Sequence, residues 1–131
     1  MIFVDGSVPR SVADELRKIG KNARAKIELF LPETKDPEWL RAAGDNGWLV
    51  ITHDKYIRKR PGELQAILDH SAGCFILTYR NDLKKEEIVK IVLAHVEEME
   101  RRFKATPRPF IYTVTKDGEF REYVRGGGVP S

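Results

Sequence analysis

The fold of this chain is decided by the stretch Trp48-Leu49-Val50-Ile51-Thr52-His53-Asp54, which begins apolar and ends on an acid. Comparable short apolar stretches occupy residues 2–5 and 74–78, and residues 26–31 alternate before they become continuously apolar. Strands that are continuously apolar, rather than alternating, are typical of parallel sheets covered by helices on both faces. We therefore predict four such strands, the third of them over residues 48–52.

Helical patterns separate these strands. A first helix is expected after Ser7, its predicted N-cap, with Gly20 at its exit. A second helix begins at Asp36, a predicted N-cap before Pro37. Strand and helix alternate four times, which predicts an α/β fold of three layers, αβα, around a mainly parallel sheet of four to five strands. The remaining helices are expected around residues 64–68 and over residues 85–103.

The pattern changes after Pro109. Residues 110–115 and 119–124 have strand character and flank the turn sequence Lys116-Asp117-Gly118, which predicts a C-terminal β-hairpin. The glycine-rich residues 126–131 are expected to be a flexible tail. A chain of 131 residues is too short for two ordinary domains, so residues 1–125 are expected to form one.

Composition limits the classes of function. The longest apolar runs have four residues, whereas a membrane span needs about 20, so no membrane protein is expected. The chain passes from Met1 directly into a strand without a basic leader, and its single cysteine, Cys74, lies in an apolar run; both favour a cytoplasmic protein. The net charge of +3 permits a nucleic-acid partner without requiring one.

Acidic residues follow three of the predicted strands. Asp5 follows the first, Glu33 and Asp36 the second, and Asp54 the third. Ligands of open parallel sheets bind beyond the carboxyl ends of the strands, where these acids would meet. Carboxylates brought together repel one another unless a cation neutralises them, and Mg²⁺ and Mn²⁺ prefer oxygen ligands. The alternative is that each acid only caps a helix or begins a turn.

A basic segment, residues 55–60, follows Asp54 directly. Beside an acidic metal site, such a segment could hold a nucleic-acid backbone while Tyr56 contacts a base. The alternative is an ordinary solvated loop. The candidate substrate-binding residues are Lys55, Tyr56, Arg58 and Arg60, with Arg80 at the end of the fourth strand.

Three blocks of the chain resemble the PIN-domain ribonucleases. Val4-Asp5-Gly6-Ser7 resembles the Asp-x-Ser/Asn opening of that family, and Leu49–Lys55 resembles its strand ending in Thr-x-Asp. Asp36–Ala43 resembles its helix that begins with Asp and carries alanines. The order and spacing are similar to those of the short, VapC-type toxin-like members, over about residues 1–100. The resemblance implies a PIN-like domain over residues 1–125.

The resemblance implies an endoribonuclease that depends on Mg²⁺ or Mn²⁺ and hydrolyses single-stranded RNA. Asp5, Asp36 and Asp54 would be the catalytic, metal-binding acids. Ser7 and Thr52 would be supporting hydroxyls. It also implies the toxin of a toxin–antitoxin pair, with a small antitoxin protein as partner, and exposed helix surface could support a homodimer.

Two departures from the family pattern reduce the number of acids. Longer PIN domains carry a further glutamate that this chain lacks; Glu33 and Glu38 are candidate substitutes, although the family motif assigns neither. Close relatives often carry a second aspartate where this chain has Tyr56. A catalytically weak or inactive module that binds nucleic acid or protein is therefore an alternative. A receiver-type signalling domain, with Asp54 as phospho-acceptor, is disfavoured because Asp5 stands alone and we expect no fifth parallel strand ending in lysine.

Overall fold

The computed structural model describes residues 1–127 and the backbone of residues 129–130. Within this part of the chain, seven strands form one sheet in the order β2-β1-β3-β4-β5-β6-β7. The first five strands of that order run parallel, and the last two pair antiparallel. The prediction of a mainly parallel sheet with a C-terminal hairpin is confirmed. The strands are β1 (Ile2–Val4), β2 (Ala23–Ala25), β3 (Leu49–Thr52), β4 (Gly73–Thr78), β5 (Phe110–Thr115), β6 (Phe120–Arg125) and β7 (Val129–Pro130).

Helices cover both faces of the sheet, which gives the predicted αβα layers. One face is covered by α1 and α5, which contact each other, and the opposite face is covered by α3 and α4. None of the described helices is both long and apolar enough to cross a membrane. The helices are α1 (Ser11–Lys18), α2 (Lys26–Leu29), α3 (Asp36–Asn46), α4 (Pro61–Asp69) and α5 (Lys85–Ala105), and one 3₁₀ turn spans Lys55–Arg58.

The two faces of the sheet bury separate apolar cores. On the α3–α4 side, the ring of Phe3 lies 5.1 Å from that of Trp39 and 5.6 Å from that of Trp48. On the α1–α5 side, Phe75 packs against Phe110. All four residues of β3 are buried because neighbours cover both of its faces. This explains why its sequence is continuously apolar rather than alternating.

The prediction of a strand over residues 26–31 is wrong. The second strand is β2, three residues earlier, and residues 26–29 form the single helical turn α2. The Glu28 carboxylate accepts a hydrogen bond from the Ala25 N–H and pairs with Arg17 of α1 at 2.9 Å. These contacts hold the turn and lower the pKa of Glu28, the backbone hydrogen bond from Ala25 most of all. The apolar residues of this segment are therefore not evidence of a strand, and Leu31 is exposed.

Neither predicted N-cap performs that role. Helix α1 begins at Ser11, four residues after Ser7, and the Ser7 hydroxyl instead donates to Asp5. Asp36 is the first residue of α3 rather than the residue before it, and its carboxylate accepts the indole N–H of Trp39 at 2.9 Å. Both side chains are thus committed to contacts other than capping.

The chain has a fifth parallel strand, contrary to expectation. β5 pairs parallel with β4 and then turns back through Gly118, whose φ is 88°, into β6. Lys116 follows β5, so one of the two arguments against a receiver-type domain is wrong, while Asp5 still stands alone after β1. The predicted tail over 126–131 includes Gly128 and Ser131, which lie outside the described residues. Within it, Val129–Pro130 pair with β6 as β7.

Candidate active site at the carboxyl edge of the sheet

Asp5 lies at the end of β1 and is nearly buried, with 6% of its surface exposed. Its Oδ1 accepts the N–H of Gly6 at 2.6 Å. Its Oδ2 accepts the hydroxyls of Ser7 at 2.7 Å and Thr52 at 2.8 Å. A buried carboxylate needs such donors to replace the water it has lost. Asp5 therefore joins the carboxyl ends of β1 and β3.

Thr52 connects Asp5 to Asp54. The Thr52 hydroxyl is fully buried; it donates to Asp5 and accepts the backbone N–H of Asp54 at 3.1 Å. The Ser7 hydroxyl similarly accepts the backbone N–H of His53 at 2.9 Å. The two hydroxyls thus hold the backbone as it leaves β3, and the Asp54 carboxylate accepts hydrogen bonds from the Tyr56 N–H at 3.0 Å and from Arg60.

Arg60 brings three further carboxylates together. Its Nη1 atom lies 2.9 Å from Asp54 Oδ2, 3.7 Å from Asp36 Oδ2 and 3.7 Å from Glu63 Oε1. The hydrogen bond with Asp54 is the main reason that the pKa of Arg60 is raised. Asp54 follows β3, Asp36 begins α3 and Glu63 lies in the first turn of α4. Three separate elements therefore meet at one guanidinium.

A pocket of about 490 Å³ opens beside Asp54, between the ends of β3 and β4. His53 forms one of its walls and stacks on Tyr79, with ring centroids 3.8 Å apart. Its Nδ1 lies 2.8 Å from the Leu77 carbonyl, which can only accept, so Nδ1 carries a proton. Its Nε2 lies 3.0 Å from Asn81 Oδ1. Burial raises the pKa of Tyr79 to about 12, so the phenol stays neutral at physiological pH.

The predicted substrate-binding residues lie in three different places. Lys55, Tyr56 and Arg80 line the pocket, and the Tyr56 ring is half-exposed. Arg58 instead packs its guanidinium over Tyr123 at 4.8 Å. Arg60 faces the acids.

Glu33 does not join the acids. It is exposed in the connection between α2 and α3, and within the described residues it forms no hydrogen bond or ion pair. The acid that does approach Asp36 and Asp54 is Glu63, through Arg60. We did not predict Glu63 or His53 as site residues. The position of His53 directly before Asp54 is a sequence signal that could have indicated it. Glu63 carries no such signal, because an acid in the first turn of a helix is common.

Comparison with known families gives a match over the first part of the chain. A family model described as a PIN-like domain matches residues 1–79, which is more than half of the chain and includes Asp5, Asp36, Asp54 and Glu63. The chain belongs to the PIN-like domain family. PIN-like domains are in general nucleases and use divalent metal ions, so a nuclease-type function is supported at that level. Searches of curated proteins and of solved structures found no match to the chain.

The acids of this PIN-like domain do not form a metal site in the arrangement described. Among the described residues, no three His, Cys, Asp or Glu side chains are grouped so that they could hold an ion. Asp5 is surrounded by its three donors, and Asp36 and Asp54 are both paired with Arg60. Carboxylate oxygens are the right donors for Mg²⁺ or Mn²⁺. The geometry does not fit, because a guanidinium lies between the donors.

Proposed function

We propose that this PIN-like protein is an endoribonuclease that hydrolyses phosphodiester bonds of single-stranded RNA, with Mg²⁺ or Mn²⁺ as cofactor. The observation that carries the proposal is a continuous chain of contacts along the carboxyl edge of the sheet. It runs from Asp5 through Thr52 to Asp54, and from Asp54 through Arg60 to Asp36. An acidic edge beside an open pocket supports hydrolysis of phosphodiester bonds, and the chain belongs to a family whose members are in general nucleases.

The pocket beside Asp54 supports RNA as the substrate. Lys55 and Arg80 border it and could contact phosphates, which would contribute affinity without sequence preference. Tyr56 exposes half of its surface at the same pocket, where a base could stack on its ring. Single-stranded RNA is favoured over duplex because only splayed bases can reach such a ring.

The family and the carboxylate donors support the proposed metal dependence. In PIN-like nucleases a divalent ion would supply an activated water and stabilise charge on the phosphate. In this chain two hydroxyls position the acids. Those of Ser7 and Thr52 orient the Asp5 carboxylate, and that of Thr52 also holds the backbone of Asp54. The pairing of Asp36 and Asp54 with Arg60 stands against an ion in this arrangement.

That pairing favours a second candidate function, a catalytically weak or inactive PIN-like module that binds nucleic acid or protein. Arg60 already neutralises the carboxylates that a metal ion would use. The pocket formed with Lys55, Tyr56 and Arg80 would still bind RNA in that case.

Cleavage of a mixed-sequence single-stranded RNA separates the two candidates. The experiment uses Mn²⁺ or Mg²⁺, an EDTA control, the Asp54→Asn variant and, as matched control, Asp69→Asn at the other end of α4. Asp69 is exposed and accepts a hydrogen bond from Gln65 alone among the described residues. The proposal expects metal-dependent cleavage in the wild type and in Asp69→Asn, and none in Asp54→Asn.

Two other outcomes contradict parts of the proposal. Cleavage retained by Asp54→Asn would remove Asp54 from the catalytic residues. RNA binding without cleavage, by a wild-type protein whose circular dichroism shows it folded, would make the binding module the function.

A proposal about the cellular role of the protein rests only on the resemblance to toxin-like members of the family. We propose a cytoplasmic toxin, with an antitoxin protein that blocks the acidic edge and a homodimer as its own assembly. Expression of the chain in a host cell should arrest growth, and Asp54→Asn should relieve the arrest. Growth arrest by both forms would contradict a toxin that acts through nuclease activity.

A further inference from the structure

The acidic edge already contains a cation, and that cation is a residue of the chain. The three carboxylate oxygens nearest Arg60 Nη1 belong to Asp54, Asp36 and Glu63, at 2.9, 3.7 and 3.7 Å. Their side chains are largely covered, with 21%, 28% and 14% of their surface exposed. Carboxylates in such a setting repel one another unless a positive charge lies among them. The guanidinium supplies that charge.

The position of Arg60 is fixed by its surroundings rather than by the salt bridges alone. Arg60 is the residue before Pro61, the first residue of α4, and its carbonyl accepts the N–H of Leu64 at 3.0 Å. Its own N–H donates to the Tyr56 carbonyl at 3.0 Å, and its guanidinium lies 5.7 Å from the centre of the Tyr56 ring. The backbone therefore delivers this side chain to the acids. The Arg60 side chain itself is half-exposed, and the backbone hydrogen bonds that begin α4 do not involve its guanidinium.

We propose that Arg60 is the resident cation of the acidic edge, and that a divalent metal ion binds Asp36, Asp54 and Glu63 only by displacing it. This inference rests on the proposed function only for the choice of ion. It accounts for the mismatch between a family that in general uses divalent metals and a chain whose acids do not form a metal site. It assigns Arg60 a positioning role toward the acids instead of the substrate-binding role that the basic segment predicts.

The inference predicts the direction of a change in metal affinity. In Arg60→Gln the carboxylates keep their positions on three elements but lose the charge that neutralises them. The free energy that the wild type spends on breaking the Arg60–Asp54 pair is no longer required. Mn²⁺ should therefore bind about two- to fivefold more tightly to Arg60→Gln than to the wild type.

The measurement is a Mn²⁺ titration without RNA, followed by the electron paramagnetic resonance signal of free Mn²⁺. Arg60→Lys keeps a positive charge and should remain close to the wild type. The matched control is Arg101→Gln, which removes an exposed arginine paired with a carboxylate, Glu98, on α5. It should leave Mn²⁺ affinity unchanged. Adding Asp54→Asn to Arg60→Gln should abolish the gain.

The wild type provides a test that needs no variant. The side-chain Nε–Hε signal of Arg60 in nuclear magnetic resonance should shift as Mg²⁺ is added, whereas that of Arg101 should not. Equal Mn²⁺ affinity in Arg60→Gln and Arg101→Gln, weaker affinity in Arg60→Gln, or an unmoved Arg60 signal at saturating Mg²⁺ would each overturn the inference. Because these readouts measure ion binding alone, an absence of RNA cleavage would reject the proposed nuclease and leave this inference standing.

Discussion

The hydroxyl of Thr52 should contribute more to the free energy of unfolding than the small size of the group suggests. Thr52→Val replaces the hydroxyl by a methyl group of similar volume at a fully buried position, so packing on both faces of β3 is retained. What is lost is the hydrogen bond donated to Asp5 Oδ2, the one accepted from the Asp54 N–H, and the 3.1 Å contact with the Ser7 hydroxyl.

The magnitude follows from the partner of each hydrogen bond. A hydrogen bond to an ionised group contributes about 1.5–3 kcal/mol, and an ordinary one about 1 kcal/mol. Asp5 keeps its donors Gly6 and Ser7, which limits the loss. We expect Thr52→Val to lower the free energy of unfolding by about 2–3 kcal/mol.

Urea unfolding followed by tryptophan fluorescence measures this loss, since Trp39 is buried in the core beside β1. With a denaturant slope of about 2 kcal/mol/M, the midpoint should fall by about 1–1.5 M at unchanged slope. Thr113→Val in β5 is the control, because within the described residues the Thr113 hydroxyl forms no hydrogen bond. The reasoning is refuted if the two variants differ by less than about 0.5 kcal/mol.

Three further predictions concern packing and titration. Gly44→Ala should lower the free energy of unfolding by about 2–3 kcal/mol, because a Cβ on this residue of α3 would overlap the backbone carbonyl of His70 at the end of α4. A variant as stable as the wild type in urea would contradict this close approach. Burial raises the pKa of the Cys74 thiol well above its ordinary value, so a thiol reagent at pH 8 should react only after unfolding, and rapid reaction of the native protein would refute the burial. Two neighbouring arginines, Arg101 first, lower the pKa of Glu98 to about 2. The stabilisation by the Glu98 carboxylate is thus complete above its ordinary pKa near 4.5 and is lost as pH falls towards 2. Glu98→Gln should therefore lower the melting temperature slightly at pH 7 and not at pH 2. Equal shifts of the melting temperature at both pH values would contradict this prediction.

The sequence predicts the strands that are buried on both faces and the acids that follow them. β1, β3 and β4 are predicted correctly because a continuous apolar run of that length is typical of a strand inside a covered parallel sheet. The same reasoning failed at residues 26–31. There an apolar run of similar length forms the turn α2, held by an ion pair between Glu28 and Arg17 that the local pattern does not contain.

The pairing of β5 could not be predicted from its own residues either. A hairpin turn specifies that β5 and β6 pair antiparallel, since both partners are adjacent in the chain. That β5 also pairs parallel with β4 depends on α5, which crosses one face of the sheet and delivers the chain to the free edge of β4. Such a crossover is a property of the assembled layers.

The sequence by itself determined the αβα class, the carboxyl edge of the sheet as the place for chemistry, and Asp5, Asp36 and Asp54 as the acids to consider. Apolar periodicity and strand-end position are local properties, and the chain carries them without reference to its fold. Only the tertiary structure decided which charges meet. A run of basic residues after Asp54 predicts contact with RNA equally for Arg58 and Arg60. Folding brings Arg58 to Tyr123 and Arg60 to three carboxylates. The Arg58–Tyr123 and Arg60–Asp36 contacts join elements that are far apart in the chain, so no local pattern contains them.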